Sequence, residues 1–96
     1  MTTTTEILKT LQAKRSSLVS TYPINKIGVF GSYARGEQTA ESDVDIVVEF
    51  NAPIGMAFID LADELEKELK LKVDLVSRKA IREKMWAFIE KEVIYV

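Results

Sequence analysis

The chain has no cysteine and no histidine among its 96 residues. The first absence removes disulfides, thiolate nucleophiles and zinc–sulfur sites together. The second removes imidazole ligands and a histidine general base. Any catalysis must rest on carboxylates, hydroxyls, lysine, arginine and bound metal. Charge of one sign is also scarce: 13 basic against 15 acidic residues give a net charge of −2. That is no electrostatic footprint for nucleic acid, so direct DNA binding is not expected. No apolar run approaches the roughly 20 residues that span a bilayer, so no membrane association is expected. The opening Met1-Thr2-Thr3-Thr4-Thr5 lacks the basic and apolar regions of a secretory signal, and a cytoplasmic protein is expected. What is present is ordinary for a globular protein, 47% hydrophobic and 29% charged. The length suits one small domain over residues 1–96.

Hydrophobic spacing predicts an amphipathic helix over residues 5–20, capped by Thr5, with Ile7, Leu8, Leu11, Leu18 and Val19 near one face. Tyr22-Pro23 ends it, because the residue before proline avoids the α region. Residues 26–30 (KIGVF) read as a strand closed by Gly31-Ser32. Residues 33–35 suit a helical turn stopped at Gly36, and 37–42 a polar loop. Residues 43–50 (DVDIVVEF) form a second strand, and 51–55 a loop with a proline and a glycine. Residues 56–70 predict a helix with Phe58, Leu61, Leu65 and Leu69 on one side. Residues 72–77 (KVDLVS) form a third strand, 79–91 a last helix and 93–96 an apolar tail. The order α-β-β-α-β-α describes a small α/β or α+β domain, a sheet of at least three strands flanked by helices.

Side chains alternate along a strand, so Asp43 and Asp45 point to one face. Val44, Ile46 and Val48 take the opposite face as core, while Val47 follows the aspartates. Two neighbouring carboxylates repel each other unless a cation sits between them. Hard cations such as Mg²⁺ prefer that oxygen environment. A solvated strand face is the plainer alternative, but Asp is disfavoured in strands. Asp74, inside Val73-Asp74-Leu75-Val76, repeats the pattern. If the strands are neighbours, three carboxylates converge, and three can hold two metal ions about 4 Å apart. Gly31 lets the backbone approach a ligand closely, Ser32 adds a hydroxyl, and a following helical turn would aim its N-terminus at phosphate. A simple turn is the alternative there. Arg35 is a candidate phosphate contact, with a surface ion pair as its alternative.

Gly31-Ser32, ten intervening residues and Asp43-Val44-Asp45 resemble the signature of the DNA polymerase β nucleotidyltransferase superfamily. The string GSYARGEQTAESDVDIVVEF, the later VDLV and the closing EVIYV are similar to its minimal nucleotidyltransferase branch. The resemblance covers roughly residues 24–96. It implies a mixed sheet flanked by helices. It implies that Gly31 and Ser32 bind a nucleotide triphosphate, with ATP as donor. Asp43 and Asp45 would bind two Mg²⁺ ions, and Asp74 would be the third acid, near the acceptor hydroxyl. An acceptor hydroxyl would attack the α-phosphorus and release pyrophosphate.

The short chain leaves no room for the acceptor-binding domain of larger relatives. The resemblance implies instead a protein acceptor: minimal nucleotidyltransferases act as antitoxins beside a helical HEPN toxin and transfer AMP to one of its tyrosines. The apolar C-terminal stretch of Met85, Trp86, Phe88, Ile89, Val93, Ile94, Tyr95 and Val96 is read first as core, and in part as interface. Two other functions stay open: a non-catalytic antitoxin that binds nucleotide and blocks its toxin sterically, and a small-molecule nucleotidyltransferase. A homo-oligomer is left open as well.

Overall fold

Thr3 starts the first helix. Its side chain accepts a hydrogen bond from the Glu6 N–H and caps α1 (Thr4–Thr21) in the computed structural model, which describes residues 2–96. The cap therefore lies two residues ahead of the expected Thr5, because Thr3 is the last residue with extended backbone. Ile7, Leu11 and Leu18 are buried as expected and Leu8 packs at the core's edge. Val19 is exposed. It stands one residue, about 100°, round the helix from Leu18. Tyr22 is extended and ends the helix before Pro23.

The elements that follow are β1 (Ile24–Phe30), α2 (Gly31–Arg35), β2 (Val44–Phe50), α3 (Ala57–Leu69), β3 (Val73–Ser77), α4 (Glu83–Ile89) and β4 (Ile94–Tyr95). They build one mixed sheet in the order β3-β2-β1-β4. β1 is antiparallel to both β2 and β4, while β2 and β3 run parallel. α3 carries the crossover that a parallel pair needs. Several boundaries differ from expectation, most of them by a residue or two. β1 starts at Ile24, directly after Pro23, and Asp43 lies just outside β2. The last helix is shorter than residues 79–91: Arg78–Ala80 form a single 3-10 turn, and the extended backbone of Ile81 and Arg82 delays α4 to Glu83. The apolar tail supplies a fourth strand, paired through Gly28–Tyr95 and Val29–Ile94.

One face of the sheet makes the core. Val44, Ile46 and Val48 of β2 are fully buried there with Ile27 and Val29 of β1. α1 and α3 cover them with Ile7, Leu11, Leu18, Leu61, Leu65 and Leu69. Phe58 is half-buried and meets Phe50 edge-on, with ring centroids 6.3 Å apart. The alternation expected for β2 holds, since Asp45 and Val47 take the other face. The C-terminal stretch splits. Val96 packs against the core, but α4 buries no residue, and Met85 and Phe88 are 55% and 72% exposed. Core packing therefore does not account for those two. Among the described residues no helix is long and apolar enough to cross a membrane.

Candidate active site

Gly31 turns the chain from β1 into α2 with φ +75°, a conformation that side chains rarely adopt. A Cβ at this position would collide with the Asp45 carboxylate. The glycine therefore allows a backbone turn to lie directly on an acid of the neighbouring strand. Tyr33, buried in the core, anchors α2 from below, and its carbonyl accepts a hydrogen bond from the Thr4 hydroxyl. Gly36, at φ +71°, ends the helix, with its N–H donating to the Ser32 and Tyr33 carbonyls. Ser32 is left half-buried at the top of the turn and Arg35 exposed beside it.

The sheet register decides which acids meet. Asp45 of β2 is directly paired with Asp74 of β3 on one side and with Phe30 of β1 on the other. The two carboxyls share one rung, and the turn at Gly31 begins at its end. The Asp45 carboxyl is pushed up from 3.8 to about 6, first by burial, then by the charge of Asp74, a hydrogen bond with it and the charge of Asp43, while Arg35 opposes the rise. Asp43 and Asp74 are exposed. Among the described residues no three acids are grouped closely enough to form a ready-made metal cluster. The donor chemistry nonetheless fits a hard cation. Two carboxylates forced onto one rung, one of them protonating unusually easily, lose their repulsion when a divalent ion joins them.

Arg35 is held between two carboxylates. Its Nε donates to Glu37 at 2.9 Å and its Nη1 to both oxygens of Glu92 at 3.1 Å. The Gly31 N–H donates to the same Glu92 carboxylate. Sequence reasoning missed Glu92. It lies 61 residues from Gly31, and no local pattern marks it. A cleft of about 860 Å³ opens at the opposite ends of β2 and β3, lined by Phe50, Pro53, Ile54, Ser77, Arg78 and Ile81 among others. It contains none of the six candidate residues Gly31, Ser32, Arg35, Asp43, Asp45 and Asp74.

A mixed sheet whose strand acids face a Gly-Ser turn defines a class, the proteins of nucleotidyl transfer. The nucleotidyltransferase domain family matches residues 7–96, and the chain belongs to that family. It is 45% identical, over all of both chains, to the protein MJ1379 of Methanocaldococcus jannaschii, provisionally named a protein adenylyltransferase. The protein adenylyltransferase MntA of Thermococcus cleftensis is 41% identical, covering all of this chain and 98% of its own. A solved structure provisionally described as a minimal nucleotidyltransferase matches with a TM-score of 0.75 at 32% identity, covering 91% of this chain and 93% of that one. A toxin–antitoxin crystal structure with AMP-PNP matches at a TM-score of 0.69 and 26% identity, covering 96% of this chain and 70% of that one.

Proposed function

We propose that this nucleotidyltransferase transfers AMP from ATP to a tyrosine hydroxyl of a HEPN-family toxin and so serves as its antitoxin. The observation that carries this reading is the shared rung of Asp45 and Asp74 beside the Gly31 turn. The names of the relatives as protein adenylyltransferases support the reaction. Likeness to a toxin–antitoxin structure with AMP-PNP supports the nucleotide and the kind of partner.

In this reading Ser32 and Arg35 bind the triphosphate, and Gly31 keeps the turn close enough for it to approach Asp45. Asp43, Asp45 and Asp74 would hold two Mg²⁺ ions, which when bound would neutralise charge along the triphosphate. Asp74, on an edge strand, faces the acceptor and takes the hydroxyl proton. The tyrosine oxygen forms a bond to the α-phosphorus, the bond from that phosphorus to the bridging oxygen breaks, and pyrophosphate leaves. Positioning and electrostatics do most of this work. The exposure of Asp43 and Asp74 leaves the acids open to a hydroxyl on another protein's surface. Met85 and Phe88 offer that protein apolar contact.

The test is incubation with α-labelled ATP, Mg²⁺ and a HEPN-family toxin from the same source. Label is expected on the toxin and is lost when the toxin's acceptor tyrosine is changed to phenylalanine. An unlabelled toxin, or equal labelling by the Asp43→Ala/Asp45→Ala variant, would sink the proposal.

A further inference from the structure

We infer that Glu92 is a positioning residue for the nucleotide, holding Arg35 and the Gly31 turn in the geometry that receives a triphosphate. The inference rests on the nucleotide site proposed above. One carboxylate serves both groups: it accepts the Gly31 N–H and pairs with Arg35 Nη1 through both oxygens at 3.1 Å. Glu92 is itself fixed from both sides. Its N–H donates to the Ile89 carbonyl at the end of α4, and the chain then enters β4, which pairs with β1. Beyond β4 the Val96 N–H donates to the Ile27 carbonyl of β1. The same strand β1 leads directly into Gly31, so a single frame sets both ends of the contact.

The consequence for Arg35 is specific. An exposed arginine loses much side-chain freedom when it is ordered. Here Glu37 takes Nε and Glu92 takes Nη1, so Nη2 alone has no partner among the described residues. The guanidinium is thus ordered in advance, with its remaining donors free for a phosphate oxygen. The consequence for Gly31 is the reverse. Its N–H is already used by Glu92, so Ser32 and Arg35 remain as the donors.

Simple charge predicts the opposite behaviour, which makes the inference testable. A carboxylate beside the site repels a triphosphate, so its removal should tighten binding on electrostatic grounds. Positioning says that removal weakens it. ATP binding with Mg²⁺ is measured by calorimetry on the full chain, and transfer kinetics on the chain with its protein acceptor. Glu92→Gln is expected to weaken ATP binding about tenfold, with the loss falling on KM rather than kcat. Glu92→Asp keeps the charge but shortens the reach, and is expected to weaken binding in the same direction. In an Arg35→Gln background, Glu92→Gln is expected to add a further loss smaller than about tenfold, because the Arg35 contact is already gone and the Gly31 contact remains. Should Glu92→Gln not fold, judged by its thermal transition, Glu92→Asp decides alone. Tighter or unchanged binding in the folded variants overturns the inference. A wild-type chain that binds no ATP overturns the nucleotide site itself, which is a separate outcome.

Discussion

Asp45 and Asp74 are register partners across the parallel pair β2–β3, so two carboxyls from distant parts of the chain stand on one rung of the sheet. The cost of that arrangement is visible in Asp45, whose carboxyl is pushed up to about 6 chiefly by burial and then by Asp74.

Asp45 should therefore make the metal-free protein less stable as pH rises. The folded chain holds the proton more tightly than the unfolded one, so this residue's contribution is fully present below about 3.8 and is lost as pH rises through about 6. A rise of that size corresponds to about 3 kcal/mol, and solvent screening of a half-buried carboxyl reduces it to about 1 kcal/mol. Asp45→Asn is expected to be more stable than wild type by about 1 kcal/mol at pH 7, and to lose that advantage near pH 4. Urea denaturation across this range measures it. An Asn variant weaker than wild type at pH 7 would contradict the electrostatic account.

Mg²⁺ should offset the same repulsion. At ten times its dissociation constant a bound ion stabilises by about 1.4 kcal/mol, about 7 °C in the melting temperature of a chain this size. The shift is expected for wild type and not for Asp45→Asn/Asp74→Asn. The Asp45 titration midpoint, followed by carboxyl NMR, is expected to fall below 6 when Mg²⁺ is added. A midpoint indifferent to Mg²⁺ would remove these carboxyls from the list of metal ligands.

Gly31→Ala and Gly36→Ala make an informative pair. Both glycines have positive φ, +75° and +71°, so both substitutions carry backbone strain of about 1 kcal/mol. Only at Gly31 does the new Cβ meet the Asp45 carboxylate, whereas among the described residues nothing stands within 4 Å of one at Gly36. Gly31→Ala is expected to cost about 1–2 kcal/mol more than Gly36→Ala in chemical denaturation. It should also weaken ATP binding. Equal costs at the two positions would show that the turn relaxes away from Asp45.

Leu61→Ala and Phe88→Ser separate packing from surface. Leu61 is fully buried between α3 and the sheet, and its truncation is expected to cost about 2–5 kcal/mol. Phe88 is 72% exposed, so its substitution should change stability by no more than about 0.5 kcal/mol. The same Phe88→Ser variant is expected to bind the proposed toxin partner more weakly. Unchanged affinity for the toxin would move the docking surface away from α4.

The sequence by itself determined the periodic features. Alternation along DVDIVVEF put Val44, Ile46 and Val48 in the core and Asp45 on the other face, because a strand has only two faces. The run KIGVF, then glycine, marked the strand-to-helix turn, because few other residues tolerate positive φ there. Local pattern misjudged places where neighbours compete, such as the Thr3 cap chosen among four threonines and the 3-10 turn that shortens the last helix. Tertiary structure alone decided the rest. Sequence reasoning paired Asp74 with Asp45 only on the condition that their strands were neighbours, and strand order is a long-range property. Nothing in EVIYV foretold that Glu92 would cross the molecule to the Gly31 N–H and Arg35. That contact exists because β4 returns to pair with β1, and a contact made by chain return leaves no local pattern to read.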